Sequence, residues 1–182
     1  MNELILFTAS FPYGKKETYL KQELHYLSKC FDRIEIFPHY YNNKDTEERS
    51  TPKNVYVHSA AIPIKKTKRI LQAFIGLFKG TKLRYFIKDF FKYKVYNSSI
   101  NFKRWSIALL DYLATIGSNE FNEILKKENS IFYFYWGIGW SYSILNLKED
   151  RKDKNIIRIH GGEVYLERSN NYIPVNKEIF RR

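Results

Sequence analysis

The chain has 182 residues, 44% of them hydrophobic, which suffices for one domain with a sizeable core. A single cysteine, Cys30, excludes an intramolecular disulfide and fits a reducing compartment, and no apolar run reaches the ~18 residues that would span a bilayer. The net charge of +12 is concentrated, with twelve Lys or Arg against one acid, Asp89, between Lys65 and Trp105, which calls for an anionic partner.

The start of the chain is acidic and its apolar run is short, so it is not expected to be a secretory leader. Leu4 to Thr8 predicts a buried first strand, broken by Ser10-Phe-Pro-Tyr-Gly14. A helix is expected from about Glu17, with Leu20, Leu24, Leu27 and Phe31 at helical spacing and Glu17 in its first turn. Arg33 to Phe37 alternates as a second strand, stopped by Pro38. His39 to Lys53 is polar and reads as a surface loop. Asn54 to His58 is a short third strand.

A long helical block follows. Ile70, Leu71, Phe74 and Phe78 form one apolar stripe, and Leu83, Phe86, Ile87 and Phe90 another. Trp105, Ala108, Leu109, Tyr112, Leu113 and Ile116 form the cleanest amphipathic pattern. Gly80, Asn97 and Gly117 mark breaks, and Phe121, Ile124 and Leu125 a short further helix. Ile131 to Trp136 predicts an aromatic strand, and Gly137-Ile-Gly139 a turn into a helix with Ile144, Leu145 and Leu147 inward. Arg151 to Lys154 reads as a charged turn. Ile156 to Ile159 reads as a buried strand leading into His160-Gly-Gly-Glu163. Glu163 to Arg168 predicts a helical turn, and Pro174 opens a last helix. The predicted fold is α/β, Rossmann-like, with a mostly parallel sheet flanked by helices and a helical insertion after the third strand.

In open parallel sheets, ligands bind beyond the carboxyl ends of the strands. Three loops are expected there: Ser10 to Glu17, Trp136 to Trp140 and His160 to Tyr165. His160 is the candidate catalytic imidazole, because it can donate and accept near neutral pH. Gly14, Glu17, Tyr135, Trp136, Gly137, Gly161 and Glu163 are the candidate substrate-binding residues. Glu17 and Glu163 serve equally as helix-terminal acids, and Gly139 reads as structural. Gly137-Ile-Gly139 lacks the third glycine of the dinucleotide fingerprint. His25, His39 and His58 have no partner spacing and read as structural. No Cys/His cluster suggests a metal, no cofactor is implied, and no nucleophile-elbow pattern occurs.

The basic block offers Lys65, Lys66, Lys68, Arg69, Lys79, Lys82, Arg84, Lys88 and Lys92 among aromatic residues. That mixture suits an anionic membrane surface. Nucleic acid ranks lower, since no helix-turn-helix, zinc-finger or RRM signature is present. A solvated positive face around an ordinary core is the plain competitor.

Phe11-Pro-Tyr-Gly14 with Glu17, Gln22, Glu23 and Leu27 resembles the opening of bacterial GT-B glycosyltransferases of the large retaining family, group 1 or family 4. Phe134-Tyr-Trp-Gly137 resembles a strand-to-helix turn of the same domain. Arg158-Ile-His-Gly-Gly-Glu-Val-Tyr165, with Asn171-Tyr-Ile-Pro174, resembles its Arg-x-His-Gly-x-Asp-x-Tyr segment, with Glu163 where that family often has Asp. The resemblance covers both ends and leaves about Lys65 to Glu120 unmatched. It implies retaining transfer of a sugar from a nucleotide-sugar donor to a glycan or lipid-linked acceptor, in cell-surface polysaccharide synthesis. It implies an amino-terminal acceptor domain over residues 1–182, expected to be incomplete and inactive without a carboxy-terminal donor domain, while the basic aromatic block adds the expectation of a membrane-presented acceptor and a chain peripheral at the inner face of the membrane. By position, His160 would be the cleft histidine, Gly14 would lie over the donor phosphates, and Glu17 would line the acceptor side. The competing reading is a non-catalytic membrane- or nucleic-acid-binding α/β domain.

Overall fold

The computed structural model describes residues 2–40, 48–63, 65–79, 82–147 and 154–181. Alternation along β1 (Glu3–Thr8) sets the architecture. Leu4 and Leu6 point to one face of the sheet, and Ile5 and Phe7 to the other, all fully buried. A strand buried on both faces belongs in the middle of a parallel sheet. β1 does lie there, between β2 (Arg33–Pro38) and β4 (Ile131–Phe134). β3 (Val55–Val57) and β5 (Lys154–Ile157) form the edges, giving the order β3-β2-β1-β4-β5 with every pairing parallel. The fold is Rossmann-like, as expected.

Helix α1 (Thr18–Cys30) covers the Leu4/Leu6 face with Leu20 and Leu24. The helical insertion comprises α2 (Lys66–Leu77), α3 (Leu83–Lys92), α4 (Ser99–Gly117) and α5 (Asn119–Leu125). Its core residues Ala108, Tyr112, Ala114, Ile116, Phe121 and Ile124 pack on the Ile5/Phe7 face. Ser98 and Ser118 cap α4 and α5, their hydroxyls accepting from the Asn101 and Phe121 amides. Phe7 joins this layer to the sheet, stacked on Phe134 with centroids 4.3 Å apart and packed 5.2 Å from Trp140.

Several expectations are corrected. The last strand starts two residues earlier than its apolar letters suggest and is not buried. β5 is an edge strand with Ile156 49% exposed, so its apolar residues do not mark a core strand. Lys154, expected in a turn, begins it, while Arg151 to Asp153 and Gly80 lie outside the described residues. β4 ends at Phe134, leaving Tyr135 and Trp136 in the turn. The segment after it, Gly139–Asn146, is a 3-10 helix. Helix α6 (Gly161–Val164) is short, and α7 (Asn176–Ile179) begins two residues past Pro174. Leu125 and Ile87, read as part of apolar helix stripes, are exposed.

The largest correction concerns α2. Ile70, Leu71, Phe74 and Phe78, the apolar stripe read from the sequence, are all exposed, and the buried residues of α2 are Ala73 and Gly76. The cause is a close helix crossing. A Cβ on Gly76 would lie 2.0 Å from the Leu113 carbonyl oxygen of α4, and one on Gly117 would lie 2.0 Å from the Gln72 carbonyl oxygen. Only glycine permits that approach, so the small side of α2 faces inward. Gln72 crosses the same seam, its Nε2 donating to the Ala114 carbonyl at 2.7 Å.

Because the obstructing atoms are backbone, Gly76→Ala and Gly117→Ala should each destabilise the domain by about 3 kcal/mol, the upper end of overpacking costs. Urea unfolding midpoints measure this. A shift below about 1 kcal/mol would mean the two helices do not cross at that distance.

Candidate functional site

The site forms where the strand order reverses. The chain leaving β1 turns into α1 on one face of the sheet, and the chain leaving β4 turns into Gly139–Asn146 on the other. That divergence opens a crevice beyond the carboxyl ends of β1 and β4.

Glu17 closes one wall. It precedes α1 with φ 55, a left-handed conformation, and its side chain turns back over the β1 loop. Oε1 accepts from the Ala9 amide at 2.9 Å, and Oε2 from the Ser10 and Phe11 amides at 2.9 and 2.8 Å. The Trp136 indole Nε1 also donates to Oε1, at 2.8 Å. Glu17 is therefore not a first-turn residue of α1; it is a carboxylate bridge between the loops after β1 and β4. Gly14 sits beside it with φ 72, its carbonyl accepting from Arg49 Nε at 2.8 Å. Gly14 does not line the crevice.

Trp136 carries the link to the third loop. Its ring stacks on His160 with centroids 4.0 Å apart. His160 Nε2 lies 2.8 Å from the Tyr135 carbonyl, and since a carbonyl only accepts, that nitrogen carries the proton. Glu163 Oε2 accepts from the His160 amide at 2.9 Å. Burial raises the Glu163 carboxyl above its ordinary pKa, opposed by nearby amides of His160, Gly137 and Ile138. A Cβ on Gly137 would come within 3.3 Å of that carboxyl group. Glu163 thus holds His160 and Gly137 together. Gly161 is exposed, beside Arg168 and Tyr165. Farther along the rim, Arg158 Nη1 donates to Glu23 Oε2 at 2.6 Å and the Tyr133 hydroxyl to Glu23 Oε1 at 2.6 Å. The three loops expected at one rim do meet there.

Under the rim lies a cavity of about 480 Å³. Of the sequence candidates, Glu17 and Trp136 line it, whereas Gly14, Tyr135, Gly137, His160, Gly161 and Glu163 do not, Tyr135 and His160 packing on Trp136. Its other walls come from residues not singled out: His39 and Tyr40 after β2, Trp140 and Tyr142, Arg104 and Asp111 of α4, and Tyr172. His39 follows β2 as His160 follows β5, so the same strand-end logic could have found it; the polar stretch after it drew it into a loop. The Trp140 indole nitrogen is buried with no hydrogen-bond partner among the described residues.

The charges at the cavity are unequal. Asp111 is paired with Arg69, so Arg69 is not available as the free cation expected of it, and burial lowers its pKa. The Glu17 carboxylate is committed to four N–H donors. Lys16 and Arg104 also line the cavity, and among the described residues neither pairs with an acid. His39 is buried, with Nε2 3.0 Å from Thr115 Oγ1. Burial, aided by the Arg69 charge, lowers its pKa to about 3, which keeps the ring neutral.

Most of the remaining basic block is solvent-facing. Lys65, Lys66, Lys68, Arg84, Lys88 and Lys92 are exposed, Arg84 lying over the Tyr85 ring. Lys79 reaches Asn122 Oδ1 at 3.2 Å, and the Lys82 amide donates to the Tyr112 hydroxyl at 2.7 Å. Among the described residues, no group of three or more His, Cys, Asp or Glu could hold a metal ion, and no helix is long and apolar enough to cross a membrane. Comparison with protein-family models, with curated proteins and with solved structures returned no match.

His39 gives a pH signature. Above its ordinary pKa of 6.5 both folded and unfolded chains hold it neutral, and its contribution to stability is complete. As pH falls toward 3, the unfolded chain takes up a proton that the folded chain refuses. Stability should then drop by about 1.4 kcal/mol per pH unit. Glu35, whose burial is outweighed by hydrogen bonds from His58, Lys127 and Arg33 and whose pKa is lowered, adds its own loss only below its ordinary 4.5. Asp89 and Glu163, raised by burial, act in the opposite sense, and do so equally in the unaltered chain and in a His39→Gln variant. Urea titrations should therefore show His39→Gln flattening the slope between pH 6.5 and 4.5. An unchanged slope would place His39 in contact with solvent.

Proposed function

We propose that the chain is the acceptor-holding part of a glycosyltransferase that moves a sugar from a nucleotide-sugar donor to a glycan or lipid-linked acceptor, in the synthesis of cell-surface polysaccharide. One observation carries the proposal. Segments far apart along the chain, each bearing the resemblance to that family, meet at the carboxyl edge of the sheet through Glu17, Trp136 and His160, over an aromatic cavity.

The lining supports a saccharide. Trp136, Trp140, Tyr40 and Tyr172 offer flat apolar faces, with a few polar groups between them to fix orientation. The Trp140 indole N–H, without a partner among the described residues, suits a hydroxyl or acid oxygen of the ligand. Lys16 and Arg104, the latter also donating to the Ser169 carbonyl, line the cavity with acids already committed elsewhere and favour an acceptor bearing phosphate or carboxylate. In this reading the catalytic imidazole is His160, fixed by its Nε2 proton and by the Trp136 stack, which ties it to the cavity wall although it does not line the cavity itself. The donor nucleotide is held by a partner domain and not by this chain, which has no phosphate-cradling glycine loop of either familiar pattern.

A labelled chain read on an array of bacterial surface saccharides should bind acidic or phosphorylated glycans. Trp136→Ala should abolish that binding. Ile107→Trp, which narrows the cavity from an exposed position on α4, should weaken it at least tenfold with the fold intact. A folded chain that binds no saccharide contradicts the reading, and turnover of a nucleotide sugar by this chain alone contradicts the division of labour.

A further inference from the structure

The outward face of α2 has no use in the sugar-acceptor site. It presents Ile70, Leu71, Phe74, Ile75 and Phe78 to solvent, Leu71 at 61% and Phe78 at 76% exposure. These positions fall on one side of the helix, one and four residues apart, and the Phe74 and Phe78 rings touch at 5.1 Å. Scattered apolar residues on a surface need no explanation, but a continuous stripe of this size marks an interface. The stripe follows from the glycine seam. With Ala73 and Gly76 taken by α4, every large apolar side chain of α2 is left outside.

Its charge identifies the occupant. Lys65, Lys66 and Lys68 are exposed at the start of α2, and the first turn holds no acid. Cations there oppose the helix dipole, a cost in water that a bound anion would reverse. The sole acid from Lys65 to Trp105, Asp89, is buried and accepts from the Tyr172 hydroxyl. The stretch from Lys65 to Trp105 therefore exposes no acid, and Asp111, the acid that reaches α2 from α4, is neutralised by Arg69. A second copy docked on it through a two-fold axis would set cations against cations. An anionic bilayer satisfies both features together: acyl chains take the stripe, and headgroup phosphates take the lysines.

We propose that α2 is a membrane-docking helix, lying in the headgroup layer of an anionic bilayer with Leu71, Phe74 and Phe78 directed into the lipid. The proposal rests on this surface alone and stands or falls separately from the sugar-acceptor reading.

Co-sedimentation with phosphatidylcholine vesicles, with and without phosphatidylglycerol, tests it. The chain should bind the anionic vesicles, release with rising salt, and lose about fivefold in partition for each of Lys65, Lys66 and Lys68 changed to Gln. The double variant Phe74→Ser, Phe78→Ser should bind at least tenfold more weakly while keeping its circular dichroism and melting temperature. Should that variant fail to fold, hydrogen exchange on the unaltered chain decides: anionic vesicles should slow the amides of α2 and leave those of α1 unchanged. Binding indifferent to lipid charge, binding unaffected by the double variant, or no slowing of α2 overturns the proposal. So does a concentration-dependent dimer that the double variant dissociates in the absence of vesicles, which would give the face to a second copy.

Discussion

The Glu17 carboxylate is the interaction on which the rim depends. An αL residue at the mouth of a helix would ordinarily be strained. Here the strain is offset because the side chain, turned back, satisfies three amides of the β1 loop and the Trp136 indole. Hydrogen bonds to an ionised acceptor are worth about 1.5–3 kcal/mol each, so the cluster outweighs a conformational cost of about 1–3 kcal/mol. Trp136, fixed on one edge by Glu17, offers its face to His160, and His160 is fixed in turn by the Tyr135 carbonyl and Glu163. Loops after three different strands therefore behave as one wall. The cavity beneath inherits its shape from that wall and from the reversal of strand order at β1.

The parts of this arrangement legible from the sequence are those governed by periodicity and punctuation. Leu20 and Leu24 on α1, the alternation of β1 and the halt at Pro38 each follow from local pattern, and together they dictate a parallel sheet. Glu17, Trp136 and His160 are also legible as residues of interest, because each follows a strand. Their mutual contacts are not, since more than a hundred positions separate Glu17 from Trp136. The position of Glu17 at a helix start suggested a dipole partner; only the folded backbone shows the carboxylate turned the other way.

What pattern could not supply was direction. The stripe on α2 is plain in the sequence, but spacing defines a face without saying whether that face looks in or out. Gly76 and Gly117 decide the matter, and neither declares its partner until the helices cross. The same limit explains His39 and Tyr172. His39 sits among polar neighbours and Tyr172 in a turn, and both reach the cavity through tertiary placement alone. Charge followed a mixed course. The imbalance of the basic block is visible in composition, whereas the pairing of Arg69 with Asp111, and the burial of Asp89, the one acid between Lys65 and Trp105, require the structure.

The central claim is that the wall made by Glu17, Trp136 and His160 roofs a cavity that receives a saccharide. Its three tryptophans give the chain a built-in reporter. Trp136 and Trp140 line the cavity, while Trp105 packs on Phe90 with its indole nitrogen donating to the Phe86 carbonyl at 3.1 Å. Titration of an acidic oligosaccharide into the nitrogen-15-labelled chain, followed through the indole N–H resonances, tests the claim most directly. The Trp136 and Trp140 signals should move and saturate together while the Trp105 signal stays fixed. Three stationary signals, or movement of Trp105 alone, would contradict the account.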